Sequence, residues 1–265
     1  MTNFLNEVQL NKLVPSVFAT GGSQHVSDKY SFIPTIDVIR GLGENGFHPV
    51  AAFQSRTRNE DKKNHVKHIM RFRHENSCLV GGVMPEIVMV NSHDGSSSYQ
   101  LRAGVYRLVC SNGMIVGDDL FCRRVRHQGD VISSVVEAAS DLINIVPISV
   151  TKALDWQSIE LNQEQKTAYA QVAMSLKWDS SSEIEEDFPL TTNQILAPRR
   201  AADNNKNDLW TTFNVIQENI IRGGIRYRNE NGSRQRTRAV NSVNENVRLN
   251  TALWTLTEKM AELAK

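Results

Sequence analysis

Cysteine is nearly missing from this 265-residue chain, which has only Cys78, Cys110 and Cys122 and no Cys-x-x-Cys pair. An odd number without paired spacing argues against both a disulfide framework and a structural zinc site, and three reduced, partly buried thiols are expected. Long apolar runs are missing too. Nothing approaches the roughly twenty apolar residues of a membrane span. The opening MTNFLNEVQLNK lacks a basic region followed by an apolar one, so a cytoplasmic protein without a membrane partner is expected. Aromatics are 7% of the residues, which leaves few flat side chains to stack on bases. Excess charge is scarce as well: 30 Lys and Arg against 29 Asp and Glu leave +1, unlike many obligate nucleic-acid binders. With 40% apolar and 22% charged residues, the chain has the composition of an ordinary globular protein.

Signatures of conventional catalysis are also wanting. Gly41, Gly43 and Gly46 form GLGENG, but within or at the end of a helical pattern and not between a strand and a helix. Gly81-Gly82 lacks the lysine and hydroxyl of a P-loop, and no Gly-x-Ser-x-Gly occurs. His93 and Asp94 in NSHDGSSSY, with His65 and His68 three residues apart, are the one constellation suited to a metal or to acid-base work. The competing reading is a hairpin turn whose polar residues cap their own backbone, since Asp-Gly is an ordinary turn signal. Asp37, Asp94, Asp118 and Asp119 show no spacing diagnostic of magnesium. No cofactor or metal is expected, and the chain reads as a non-enzyme.

What the chain does have is arginine, 19 residues against 11 lysines, gathered into patches. Arg222, Arg226, Arg228, Arg234, Arg236 and Arg238 fall in RGGIRYRNENGSRQRTR, where Glu230 is the only acid. Residues 56 to 73 carry Arg56, Arg58, Lys62, Lys63, Lys67, Arg71 and Arg73 against Glu60 and Asp61, and FCRRVRH packs Arg123, Arg124 and Arg126 together. Guanidinium suits planar, forked contact with phosphate, so these positions are the candidate nucleic-acid contacts. The alternative is a solvated face whose arginines pair with nearby acids. Tyr227, between Arg226 and Arg228, is the best stacking candidate, whereas Phe72, Tyr99 and Tyr106 are as well explained as core.

Periodicity gives an α+β fold. A short amphipathic helix over 4 to 14 stops at Pro15, and an arm reaches to about residue 30. Thr35 is expected to cap a helix that Gly46 closes. Alternation then predicts strands over 47–58, 68–74, 86–91, 99–110 and 114–127, the last two around a Ser111-Asn112-Gly113 turn. Five strands joined in sequence make an antiparallel β-meander packed by helices. Beyond it lie a helix from Val131 that Pro147 interrupts, a helix near 163–177 opened by Asn162 and Gln165, a helix ended by Gly223 and Gly224, and a last helix opened by Ser242 and Glu245. The expected organisation is an N-terminal helix and arm (1–30), an α+β core (31–177), an acidic loop (178–192) and a helical C-terminal region (193–265). That last region holds the arginine segment 222–238 as a loop or short hairpin.

The stretches TIDVIRGLGENGFHPVAAFQSRTR, PEIVMVNSHDGSSSYQLRAGVYRLVCSNGMIVG with RRVRH, and PRRAADNNKNDLWTTFNVIQENIIRGG resemble the phage/plasmid-like protein family called domain of unknown function 932. That resemblance implies a mobile-element origin and no particular activity. The order helix, meander, long helix over 35–145 is similar to the core of single-strand annealing recombinases. This second likeness implies an oligomeric ring that holds single-stranded DNA in a basic groove, and it assigns no individual position. The expectation is therefore a homo-oligomeric, single-stranded DNA-binding and annealing protein. An interaction protein that inhibits a host defence or regulatory factor is the alternative, and a metal-dependent nuclease using His93 and Asp94 is the third.

Overall fold

The computed structural model describes residues 4–22, 32–55, 57–58, 64–95, 97–107, 113–115, 121–178, 190–228 and 232–264. They fall into two compact units, residues 1–150 with 241–244 and residues 151–240 with 245–265. The division lies earlier than the acidic loop at 178–192 that composition suggested. Residues 179–189 of that loop, and 23–31 of the expected arm, are outside the described residues.

The first unit is the predicted meander. Strands β1 (Phe47–Gln54), β2 (His68–His74), β3 (Val83–Asn91) and β4 (Tyr99–Arg107) pair antiparallel in order. Two short strands, β5 (Gly113–Ile115) and β6 (Cys122–Val125), both pair with β4, at Gly104–Tyr106 and Tyr99–Arg102 respectively. Of the return strand expected over 114–127, these two segments are described, while residues 116–120 and the expected turn at Ser111-Asn112 lie outside the described residues. β1 is the edge strand, which is why it tolerates Pro49, and its register shifts between Pro49 and Ala51. It stops at Gln54, so Arg58 lies in a bend beyond the sheet and not on a strand.

One sheet face carries Met70, Phe72, Ile87, Met89, Leu101 and Ala103, all essentially buried. Against it lie helix α2 (Thr35–Glu44), the 3-10 turn Pro15–Phe18 that follows α1 (Glu7–Leu13), and α3 (Val131–Gln157). Asn6 opens α1 with a capping box, and Gly46, at φ 79°, makes the turn from α2 into β1. Helix α3 is unbroken for 27 residues, so Pro147 does not interrupt it. Pro147 sits on the exposed side while Val146 and Val150 beside it are buried, and packing on that side outweighs the one lost backbone donor. By length and composition α3 alone among the described helices could cross a membrane; its Val131, Val135, Ala139, Leu142 and Val146 are buried within the protein.

The second unit is helical. α4 (Gln163–Lys177) starts at Asn162 with a complete capping box, as its sequence predicts. α5 (Thr192–Leu196), α6 (Leu209–Arg222) and α7 (Val243–Leu263) follow. Trp156, Trp210, Phe213 and Trp254 form its aromatic core, with ring centroids 4.6 to 6.2 Å apart. Between α6 and α7 the arginine segment forms an antiparallel hairpin, β7 (Arg226–Arg228) and β8 (Arg234–Arg236).

Candidate nucleic-acid interface

The hairpin register decides where its arginines point. Arg226 faces Arg236 and Arg228 faces Arg234, so four guanidinium-bearing residues share one face, while Tyr227 and Gln235 share the other. Like charges directly opposite one another are unfavourable in a ribbon. All four are exposed, and none forms an ion pair with a described residue; Arg228 reaches only Gly232 O, at 3.5 Å. Glu230, the acid of this segment, is outside the described residues. A cavity of about 910 Å³ lies between both strands and Gln194 of α5.

The hairpin base is firmly held, so the segment is an anchored ribbon and not a tail. Gly224 N–H donates to Thr237 O (2.8 Å), Thr237 N–H to Ile225 O (2.9 Å) and Val240 N–H to Ile221 O (2.9 Å). Lys177 donates to Arg238 O (2.9 Å) and Ile220 O; burial lowers its pKa to about 8, against a smaller opposing pull from Glu245. Gln194 donates to Arg226 O (2.8 Å) and ties α5 to β7. Arg238 is exposed beyond β8. Arg222 turns back instead: with Arg200 it holds the buried Glu218. Burial alone would raise the Glu218 pKa, but the hydrogen bonds from Arg200 and Arg222 prevail and lower it.

The sheet patch behaves differently. Arg71 and Arg73 share a face of β2, as alternation requires, but that face is largely buried and both converge on Glu86 of β3. Arg71 Nε and Arg73 Nη2 each lie 2.6 Å from a Glu86 oxygen, and Arg71 stacks on the Tyr106 ring at 4.4 Å. The acid-pairing alternative therefore describes these two. Arg124, exposed on β6, shares their face, and Arg126 is exposed just past the strand end. Arg123 points to the opposite face, where it lies 3.8 Å from Asp141 of α3. Lys67 donates to Asn244 (2.9 Å). Arg58 is exposed, and Arg56, Lys62 and Lys63 fall outside the described residues. The sheet patches belong to the first unit and the hairpin to the second.

His93 and Asp94 are separated by burial. His93 is fully buried, while Asp94 is exposed and accepts from Ser92 Oγ (2.6 Å). The NSHDGSSSY motif is the middle of a polar chain. His127 Nε2 contacts Asn91 Oδ1 (2.9 Å) and Ser97 O (3.2 Å), both acceptors, so that nitrogen carries the proton. Asn91 Nδ2 donates to Thr35 Oγ1 (3.1 Å), which leaves the Thr35 hydroxyl to donate to His93 Nε2 (2.8 Å). Thr35 is thus the first residue of α2 and not its cap; its hydroxyl ties the helix to β3. Burial drives the His93 pKa down to about 3, helped by His68, His127 and His65 against Asp94, and burial drives His68 to about 4. Among the described residues no group of three or more His, Cys, Asp or Glu is placed to hold a metal ion.

Two charged residues here escape sequence reasoning, Glu86 and Arg102. Both are buried, at 1% and 8% exposure. Glu86 within the apolar run EIVMVN was the available signal.

The DUF932 profile, described as a domain of unknown function, matches residues 23–254. The chain is similar to two Escherichia coli (strain K12) proteins, UPF0380 protein YafZ and UPF0380 protein YfjQ. Each is 40% identical over 256 residues, which cover 97% of this chain and 91% of the relative. No solved structure matches it significantly.

Proposed function

The chain belongs to the DUF932 family, and from its arginine hairpin we propose that it is a single-stranded DNA-binding and annealing protein serving a mobile element. The observation that carries this reading is the register of β7 and β8, which gathers Arg226, Arg228, Arg234 and Arg236 on one exposed face. Four like charges without a described counter-charge suit a polyanion, because forked donors neutralise successive phosphates along a strand. Tyr227 and Gln194 border the same cavity and offer a ring for a base and an amide for its edge. The hairpin replaces the sheet as the main contact, since Glu86 already satisfies Arg71 and Arg73. Arg124, Arg126 and Arg58 are further exposed cations and belong to the first unit. The assembly in this reading is a homo-oligomer, and the reaction is non-enzymatic.

Binding of a labelled oligonucleotide tests the proposal. Each phosphate contacted contributes roughly 0.7 to the log-log salt slope, so about four contacts weaken binding roughly fiftyfold between 50 and 200 mM salt. Replacing Arg234, Arg236 and Arg238 by alanine lowers affinity and slope together and leaves the melting temperature in place, because all three side chains are exposed. Absence of binding at low salt, or unchanged affinity in the triple variant, sinks the proposal. Native mass with and without the oligonucleotide reads the assembly.

A further inference from the structure

Among the described residues, the sheet face that carries Arg71 and Arg73 holds more positive charge than Glu86 balances. Arg71 and Arg102 lie in one row across the sheet, each opposite Val88 of β3. Glu86 sits one step along β3 on the same face, and its cross-strand partner is Gly104, so no side chain fills β4 between Arg102 and Tyr106. Arg102 is therefore a diagonal neighbour of Glu86, within reach of a long side chain. Yet both Glu86 oxygens are taken from the other side, by Arg71 and Arg73. Arg102 is 8% exposed and makes no hydrogen bond or ion pair with a described residue, and its Nε is buried without a partner.

A guanidinium largely withdrawn from water, its Nε unpartnered and with no described counter-charge, is costly and persists where a ligand repays the cost. Among the described residues, the three largely buried guanidiniums of this face, Arg71, Arg73 and Arg102, and the carboxylate of Glu86 leave a charge of +2, with the exposed Arg124 at its edge. Glu86 fixes the heads of Arg71 and Arg73, and the Tyr106 ring backs them at 4.4 and 5.5 Å. We propose that this face binds a phosphate group with Arg102 as its principal ligand and Arg71 and Arg73 flanking it. The charge matches inorganic phosphate or a phosphate monoester, which carries about −1.5 to −2 at pH 7, better than the single charge of a phosphodiester. The site is independent of the hairpin reading.

The sign of a stability change separates a ligand site from a structural role. In phosphate-free buffer of constant ionic strength, saturating inorganic phosphate raises the melting temperature of the full chain by roughly 3 °C. Arg102→Met removes an unpaired buried charge while keeping the bulk, so this variant melts no lower than the parent without phosphate and loses the phosphate response. Arg102→Lys, which keeps the charge and loses the fork, weakens phosphate binding about tenfold. The hairpin variant R234A/R236A keeps the response. No response in the parent, an undiminished response in R102M, or loss of the response in the hairpin variant overturns the site. Comparing inorganic phosphate with 5′-phosphorylated and 5′-hydroxyl dinucleotides identifies the source: a preference for the 5′-phosphorylated form assigns a strand end, and equal occupancy by phosphate alone assigns the free ion. Failure of oligonucleotide binding at the hairpin leaves this outcome unchanged.

Discussion

Glu86 shows how one residue can set the meaning of a patch. Arg71 and Arg73 alternate on β2, and alternation by itself makes them a basic stripe, yet across β3 a single carboxylate accepts from both. Removing it leaves two guanidiniums at 16% and 10% side-chain exposure without their partner. Glu86→Gln is expected to cost about 3 kcal/mol in denaturant unfolding, as for a broken buried ion pair. A loss under about 1 kcal/mol would mean that the arginines find water or another partner. Thr35 gives the same lesson at a helix start. Its position after Pro34 reads as a cap, but its hydroxyl is bonded to Asn91 and His93, residues distant in sequence.

At the level of elements, the hairpin depends on the turn that launches it. Gly223 ends α6 at φ 60°, and a Cβ there would lie 2.6 Å from the carbonyl of Arg238. That carbonyl is held by Lys177, and Gly223 O accepts from Arg199, so neither side of the junction can give way cheaply. Gly223→Ala is therefore expected to destabilise the second unit by more than 1 kcal/mol and to weaken oligonucleotide binding through the displaced ribbon. Unchanged stability and binding would show the junction to be pliable. The capped helices and the alternating strands were readable because their determinants lie within a few residues: Asn162 with Gln165, Gly46, and the alternation of HIMRFRH. The ends of strands were less readable. Alternation continues through Arg56 and Arg58, but β1 stops at Gln54, where its pairing with β2 ends opposite His68. Pro147 misleads in the other direction, because a buried stripe on both sides carries the helix through it.

Over the whole molecule, a net charge of +1 is unevenly spread, with buried histidines and the Glu86 ion pairs within the first unit and exposed cations on the hairpin. The buried histidines give stability a pH dependence of definite sign. His68 and His93 are held near 4 and near 3, below the ordinary value of 6.5, so the unfolded chain takes up protons that the folded one excludes. Stability is whole above about pH 6.5 and falls as pH drops toward 4, by up to about 1.4 kcal/mol per pH unit for each histidine. Urea midpoints at pH 7.5, 6 and 5 check this, and His68→Gln should flatten the decline. A midpoint that does not move across that range contradicts the neutral, buried assignment.

The sequence by itself determined the α+β class, the meander, most helix boundaries and an arginine-rich connection between two capped helices, since each follows from periodicity and short-range capping, while the pairing that makes this connection a hairpin came with the structure. Only the tertiary structure decided which arginines are paired with a described acid and which stand exposed. Whether a guanidinium meets Glu86, Glu218 or no described acid depends on strand register and on contacts between residues far apart in the chain, and local pattern contains neither.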